Sequence, residues 1–104
     1  MNRDLLYLDH IKDSIKRILD YTSKGKDAFL TDTIAQDAVL RVLQVLSESC
    51  KRLSEEFVKK HSNIPWKDII GIRNVLVHDY LGVDLERIWE IVTIDIPNLK
   101  SLLP

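Results

Sequence analysis

Five side chains near the three-quarter point of this chain could act on a phosphate: Arg73, Asn74, His78, Asp79 and Tyr80. Asn74 and His78 are four residues apart, so on a continuing helix they share a face. Arg73 and Tyr80 are seven apart and nearly eclipse one another, with Arg73 one residue off the Asn74–His78 line. Arginine offers a planar fork of donors that matches phosphate oxygens and stays charged at any working pH. An imidazole with a pKa near neutrality can both take and give a proton. RNA carries its own nucleophile, the 2′-hydroxyl. Cleavage then needs a base for that hydroxyl, charge stabilisation of the pentacoordinate phosphorane and an acid for the leaving 5′-oxygen. His78 and Arg73 can supply these without a metal, and general acid–base help is typically about 10²–10⁴-fold.

Base and acid must act on opposite sides of the phosphate, yet the segment holds one histidine. His10 and His61 are distant in sequence, and nothing in the sequence places them nearby. A two-fold dimer would bring two copies of His78 and Arg73 into one cleft, so the ribonuclease reading carries an expected homodimer. The bland alternative is that the same groups cap a helix end, with His78 favourable against the helix dipole. A short Arg-and-His spacing alone is usually structural, and only its surroundings make it specific.

Those surroundings require helices. The chain has three glycines and three prolines among 104 residues, which leaves little room for hairpins. Leu8, Ile11, Ile15, Ile18 and Thr22 step by three and four along a first helix from about Asp4 to about Ser23, with Gly25 as a left-handed C-terminal residue. Phe29 and Leu30 fall in the connection. A second helix begins near Asp32 or Thr33, where Thr33 and Gln36 match a capping box, and Ala35, Val39, Val42, Leu46, Leu53 and Phe57 keep the rhythm to about Lys60, with a bend near Ser47 to Ser49. Pro65 opens a third helix, with Trp66, Ile69, Ile70, Ile72, Leu76 and Val77 on its apolar surface, ending between His78 and Gly82. The β-branched Ile70, Val75 and Val77 make a strand over 69–77 the local alternative. Asp84 caps a fourth segment through Leu85, Ile88, Trp89, Val92, Ile96, Leu99 and Leu103, which Pro97 should kink or divide. The expected fold is all-α: a four-helix bundle with a short or kinked C-terminal helix, in a single domain over residues 1–104.

Composition bounds the rest. Apolar residues make up 45% and charged residues 30%, a globular balance, and the net charge is −1, so RNA binding needs a local patch. Arg41, Lys51, Arg52, Lys59 and Arg73 are the candidates for it. The lone Cys50 fits a reducing compartment and reads as a small buried hydrophobe. The N-terminus lacks a signal-peptide shape and no apolar run approaches the roughly 20 residues of a membrane span, so a cytoplasmic protein is expected. No cysteine or histidine spacing suits a metal and no glycine-rich loop suits a nucleotide, so no cofactor and no metal are expected. Trp66 and Trp89 read as core or interface anchors, and Glu48 and Asp9 as acids with either a site role or a helix-surface role.

The run Trp66-Lys-Asp-Ile-Ile-Gly71-Ile-Arg73-Asn74-Val-Leu-Val-His78-Asp79-Tyr80, followed by Val83-Asp84 and Ile88-Trp89, resembles the HepT-like branch of the HEPN superfamily. Its hallmark is Arg, four residues, His, one residue, Tyr, with a polar residue after the Arg. Many relatives carry Gly-Glu-Ala where this chain has Ser47-Glu48-Ser49. The resemblance implies a dimerising helical bundle that acts as a metal-independent endoribonuclease toxin of a type VII-like toxin–antitoxin pair. It implies Arg73 and His78 as catalytic residues, with Asn74 and Asp79 in support. It also implies a minimal nucleotidyltransferase antitoxin that transfers AMP to Tyr80. The competing reading is a non-catalytic nucleotide- or RNA-binding module that partners such a nucleotidyltransferase.

Overall fold

The computed structural model describes residues 2–77 and 84–104; His78, Asp79 and Tyr80 lie outside them. The described residues are helical, with no strand among them. Four long segments carry the bundle: α1 (Asn2–Tyr21), α3 (Thr33–Lys51), α5 (Trp66–Val77), and a run made of α6 (Leu85–Glu90), a π-helical turn (Ile91–Asp95) and α7 (Ile96–Leu102). Two short helices, α2 (Lys26–Thr31) and α4 (Glu55–Lys60), fill the connections. The all-α expectation holds, and 69–77 is helix despite its β-branched residues.

α3 is the central element and packs against α1 on one side and α5 on the other. Ile11, Ile15 and Ile18 of α1 meet Val39, Leu43 and Leu46 of α3, and Ile69 and Ile72 bring α5 onto the same core. Ile88, Ile91, Val92, Ile96 and Leu99 close it from the C-terminal run. The spacing of these residues is the three-and-four stripe of the sequence, since burying one helical face is what stabilises each helix.

The connections differ from expectation in instructive ways. Phe29 and Leu30 lie within α2, and Phe29 is fully buried with its ring 5.5 Å from that of Trp89. The cap of α3 is Asp32, which accepts from the Ile34 and Ala35 amides, and not Thr33. Gln36 instead donates to the Phe29 carbonyl at 2.9 Å, tying α3 to α2. Gly25 has φ 95° and ψ 177°, an extended positive-φ conformation open to glycine rather than the left-handed helical one.

α3 stays helical through Ser47–Ser49 and ends at Lys51. The break at residues 52–54 has a tertiary cause. In a continuing helix the Ser54 amide would bond the Cys50 carbonyl; here it donates to Asp4 Oδ1 at 2.8 Å, while the Ser54 hydroxyl donates to Asp4 Oδ2 at 2.6 Å. Ser54 thereby takes extended geometry and caps α4, accepting from the Phe57 amide. These bonds hold the Asp4 carboxyl below the ordinary aspartate value of 3.8.

Asp84 caps α6 as its sequence position suggests, accepting from the Arg87 amide. The last segment is interrupted at Pro97 as expected: the α-helix gives way to a π turn, and the chain stays helical through it. Pro97 stands in the first turn of α7, directly after this π turn, in which the Ile96 amide reaches back five residues to Ile91. The wider turn relieves the clash that a proline ring makes with the carbonyl four residues earlier.

Candidate active site

α5 is held at three points before it reaches Arg73. The Trp66 indole N–H donates to the His61 carbonyl at 3.0 Å, fixing its start. Ile69 and Ile72 are buried in the core. The Ser47 hydroxyl, 1% exposed, donates across from α3 to the Ile69 carbonyl at 3.0 Å. That carbonyl is the one that receives the Arg73 amide in an α-helix. Its register fixed in this way, α5 turns Arg73 and Asn74 outward, where both are exposed.

Arg73 is not free in solvent. Its Nη1 lies 2.9 Å from Glu48 Oε1 of α3, with the two side chains 46% and 35% exposed. Glu48 occupies one edge of the guanidinium, and among the described residues no second acid pairs with the fork's remaining N–H groups. Glu48 is thus an ion-pair partner of the candidate catalytic arginine. Asp9 is exposed on α1. Of the five candidate site residues, Arg73 and Asn74 are described; the positions of His78, Asp79 and Tyr80 are not.

Glu48 also lines a groove between α1 and α3, together with Tyr7, His10, Arg41, Gln44 and Arg52. Two members of the expected basic patch, Arg41 and Arg52, are on it; Lys51 and Lys59 are not. Tyr7 and His10 line it as well, although nothing in the sequence places them there. They come from the first helix and reach Glu48 only through the α1–α3 packing, which leaves no local sequence signal. The Arg52 guanidinium, and after it that of Arg3, holds the Tyr7 phenol below its ordinary value. Arg3 lies over the Tyr7 ring, 5.8 Å from its centroid. Among the described residues no group of three or more His, Cys, Asp or Glu is placed to hold a metal ion, and no helix is long and apolar enough to cross a membrane.

Residues 11–104 match the family model described as ribonuclease HepT-like. The chain belongs to the HepT-like ribonuclease family. Among its relatives is a Methanocaldococcus jannaschii protein named as a gamma-glutamylcyclotransferase and a candidate RNase, 44% identical over 103 residues. That match takes in 97% of this chain but 46% of the relative, so the chain spans less than half of that protein. A Thermococcus cleftensis protein named a probable ribonuclease HepT is 37% identical over 96 residues, covering 91% of this chain and 87% of its own length. Among solved structures, the tri-AMPylated HEPN toxin of Shewanella oneidensis, in complex with an MNT antitoxin, superposes with a TM-score of 0.72. The superposition covers 99% of this chain and 95% of that one at 20% identity, a likeness of fold. The all-α bundle is thus the HEPN toxin fold.

Proposed function

We propose that this protein is a metal-independent endoribonuclease toxin of a type VII-like toxin–antitoxin pair. The observation that carries the reading is the placement of Arg73: exposed on α5, gripped on one edge by Glu48, and five residues ahead of His78 in a HepT-like ribonuclease chain. The pattern Arg73-Asn74-x-x-x-His78-x-Tyr80 puts a cation, a proton carrier and a phenol in sequence on or just beyond one helix end.

In this reading one His78 takes the proton of a ribose 2′-hydroxyl as that oxygen attacks the adjacent phosphorus. The bond to the 5′-oxygen breaks, and the leaving oxygen takes a proton from the partner subunit's His78. The products are a 2′,3′-cyclic phosphate and a 5′-hydroxyl end. Arg73 faces the phosphorane oxygens, where charge builds up in the transition state. Asn74 and Asp79 support and orient these groups. The homodimer belongs to this proposal because it supplies acid and base on opposite sides of the phosphate.

The regulator is a minimal nucleotidyltransferase antitoxin that transfers AMP to Tyr80. A bulky anionic adenylyl group two residues from His78 would fill the phosphate cleft and repel RNA. The structural likeness to a HEPN toxin bound to an MNT antitoxin supports a partner of this kind.

The decisive experiment is cleavage of single-stranded RNA by the purified chain in excess EDTA, beside Arg73→Ala and His78→Ala. Cleavage by the wild type that is lost in both variants is the expected result. No cleavage, or equal cleavage by all three proteins, would overturn the assignment.

A further inference from the structure

The groove between α1 and α3 has a composition unlike the rest of the chain. Arg41, Gln44, Glu48 and Arg52 follow one another at intervals of three, four and four residues, so they line one face of α3 and its end. At 1.5 Å per residue the two arginines are separated by about 16 Å along the helix. Both are exposed, and neither has an ion-pair partner among the described residues. The groove's one acid, Glu48, is paired with Arg73. The cavity, about 310 Å³, is therefore cationic in a chain whose net charge is −1. Opposite the arginines lie two rings 6.2 Å apart and tilted by 48°: Tyr7, half-buried with Arg3 over it, and the exposed His10.

We propose that this groove is the substrate-binding extension of the active site, carrying single-stranded RNA toward Arg73. Backbone phosphates sit at Arg41 and Arg52, an unpaired base stacks on the exposed His10 ring, and the strand passes Glu48 to reach the Arg73 guanidinium. The proposal rests on the ribonuclease reading above and names where its substrate runs. The backbone positions of the two arginines are about 16 Å apart along the helix, a spacing that lets each meet a different phosphate of one strand. Separated cations with an aromatic face between them suit a polyanion with stackable bases, as in other single-strand channels.

The test uses a fluorescent 12-nucleotide single-stranded RNA and a dinucleotide, with wild type, Arg41→Ala/Arg52→Ala and Arg41→Lys/Arg52→Lys. Binding of the 12-mer is measured by anisotropy across a salt series in the His78→Ala background, and cleavage of both RNAs in EDTA with His78 intact. The alanine pair should weaken 12-mer binding at least tenfold. It should flatten the slope of log K against log salt by about 1.4, at about 0.7 per lost phosphate contact on single strands. The preference for the 12-mer over the dinucleotide, as a ratio of kcat/KM, should fall at least tenfold. The lysine pair keeps the charge and should keep the salt slope.

Unchanged 12-mer binding in the alanine pair, or no binding by the parent protein, overturns the proposal. So does an unchanged 12-mer preference. A shift from dimer to monomer in light scattering with RNA binding intact would make the groove a contact between copies, and also overturns it. If His78-intact protein cleaves neither RNA yet 12-mer binding depends on the two arginines, the groove stands and the ribonuclease assignment falls.

Discussion

Replacing Glu48 with alanine separates positioning from stability at the Arg73 site. The pair is 2.9 Å long, but its side chains are 46% and 35% exposed, so water screens it. Exposed ion pairs contribute about 0.2–1 kcal/mol. In a domain of this size 1 kcal/mol moves Tm by about 4–8 °C, so Glu48→Ala should lower Tm by no more than about 8 °C. The larger effect should fall on catalysis. An arginine side chain carries about 2 kcal/mol of rotamer entropy. Glu48 removes part of that freedom before RNA arrives, and without it the phosphate must order the guanidinium alone. A loss of about 1–2 kcal/mol corresponds to roughly 5–30-fold in rate. Deleting the carboxylate also strengthens attraction for anionic RNA, by about 1 kcal/mol or less at a screened site. That second effect acts on binding, so KM should hold or fall while kcat drops at least fivefold. Glu48→Gln keeps an oxygen that accepts from the same N–H and should recover most of kcat. The assay is kcat and KM on single-stranded RNA in EDTA, with Tm by circular dichroism on the same samples. A kcat within twofold of wild type in Glu48→Ala would refute the positioning argument, and equal losses in Ala and Gln would assign the effect to charge alone.

Ser47→Ala removes the bond to the Ile69 carbonyl but leaves that carbonyl its helical partner, so the loss should be about 1 kcal/mol. Thermal denaturation should show a drop of about 4–8 °C, and a loss above about 3 kcal/mol would contradict this account of the α3–α5 tie. Because the folded pKa of Asp4 is depressed, its contribution is fully present above the unfolded value of 3.8 and disappears as pH falls through the folded value. Asp4→Asn should therefore be less stable than wild type at pH 7 and show a flatter loss of stability below about pH 4, measured by denaturant titration at several pH values. Cys50 is 1% exposed and burial pushes its thiol up to about 12, so native protein should react with a thiol reagent far more slowly than protein unfolded in denaturant. Equal rates would place Cys50 outside the core.

The helices and the core were legible in the sequence because burial of one face imposes a three-and-four spacing that local residue order records directly. Ile11, Ile15, Ile18, Val39, Val42, Leu46, Ile69, Ile72 and Leu99 were all placed by that rule and are all buried. The exposure of Arg73 and Asn74 follows from Ile69 and Ile72, which claim the core side of α5. Capping at Asp84 follows from one residue's preference and was equally legible. What depended on partners distant in the chain was not. α3 ends at Lys51 because Asp4, fifty residues away, takes the Ser54 amide. Gln36 bonds Phe29 rather than closing a capping box, because α2 folds back over the start of α3. Glu48 meets Arg73, and His10 joins Arg41 and Arg52 in one groove, only when α1 and α5 pack against α3. Helical periodicity says which face of an element turns inward; which neighbour that element meets, and at what register, is decided by the packing of the whole chain.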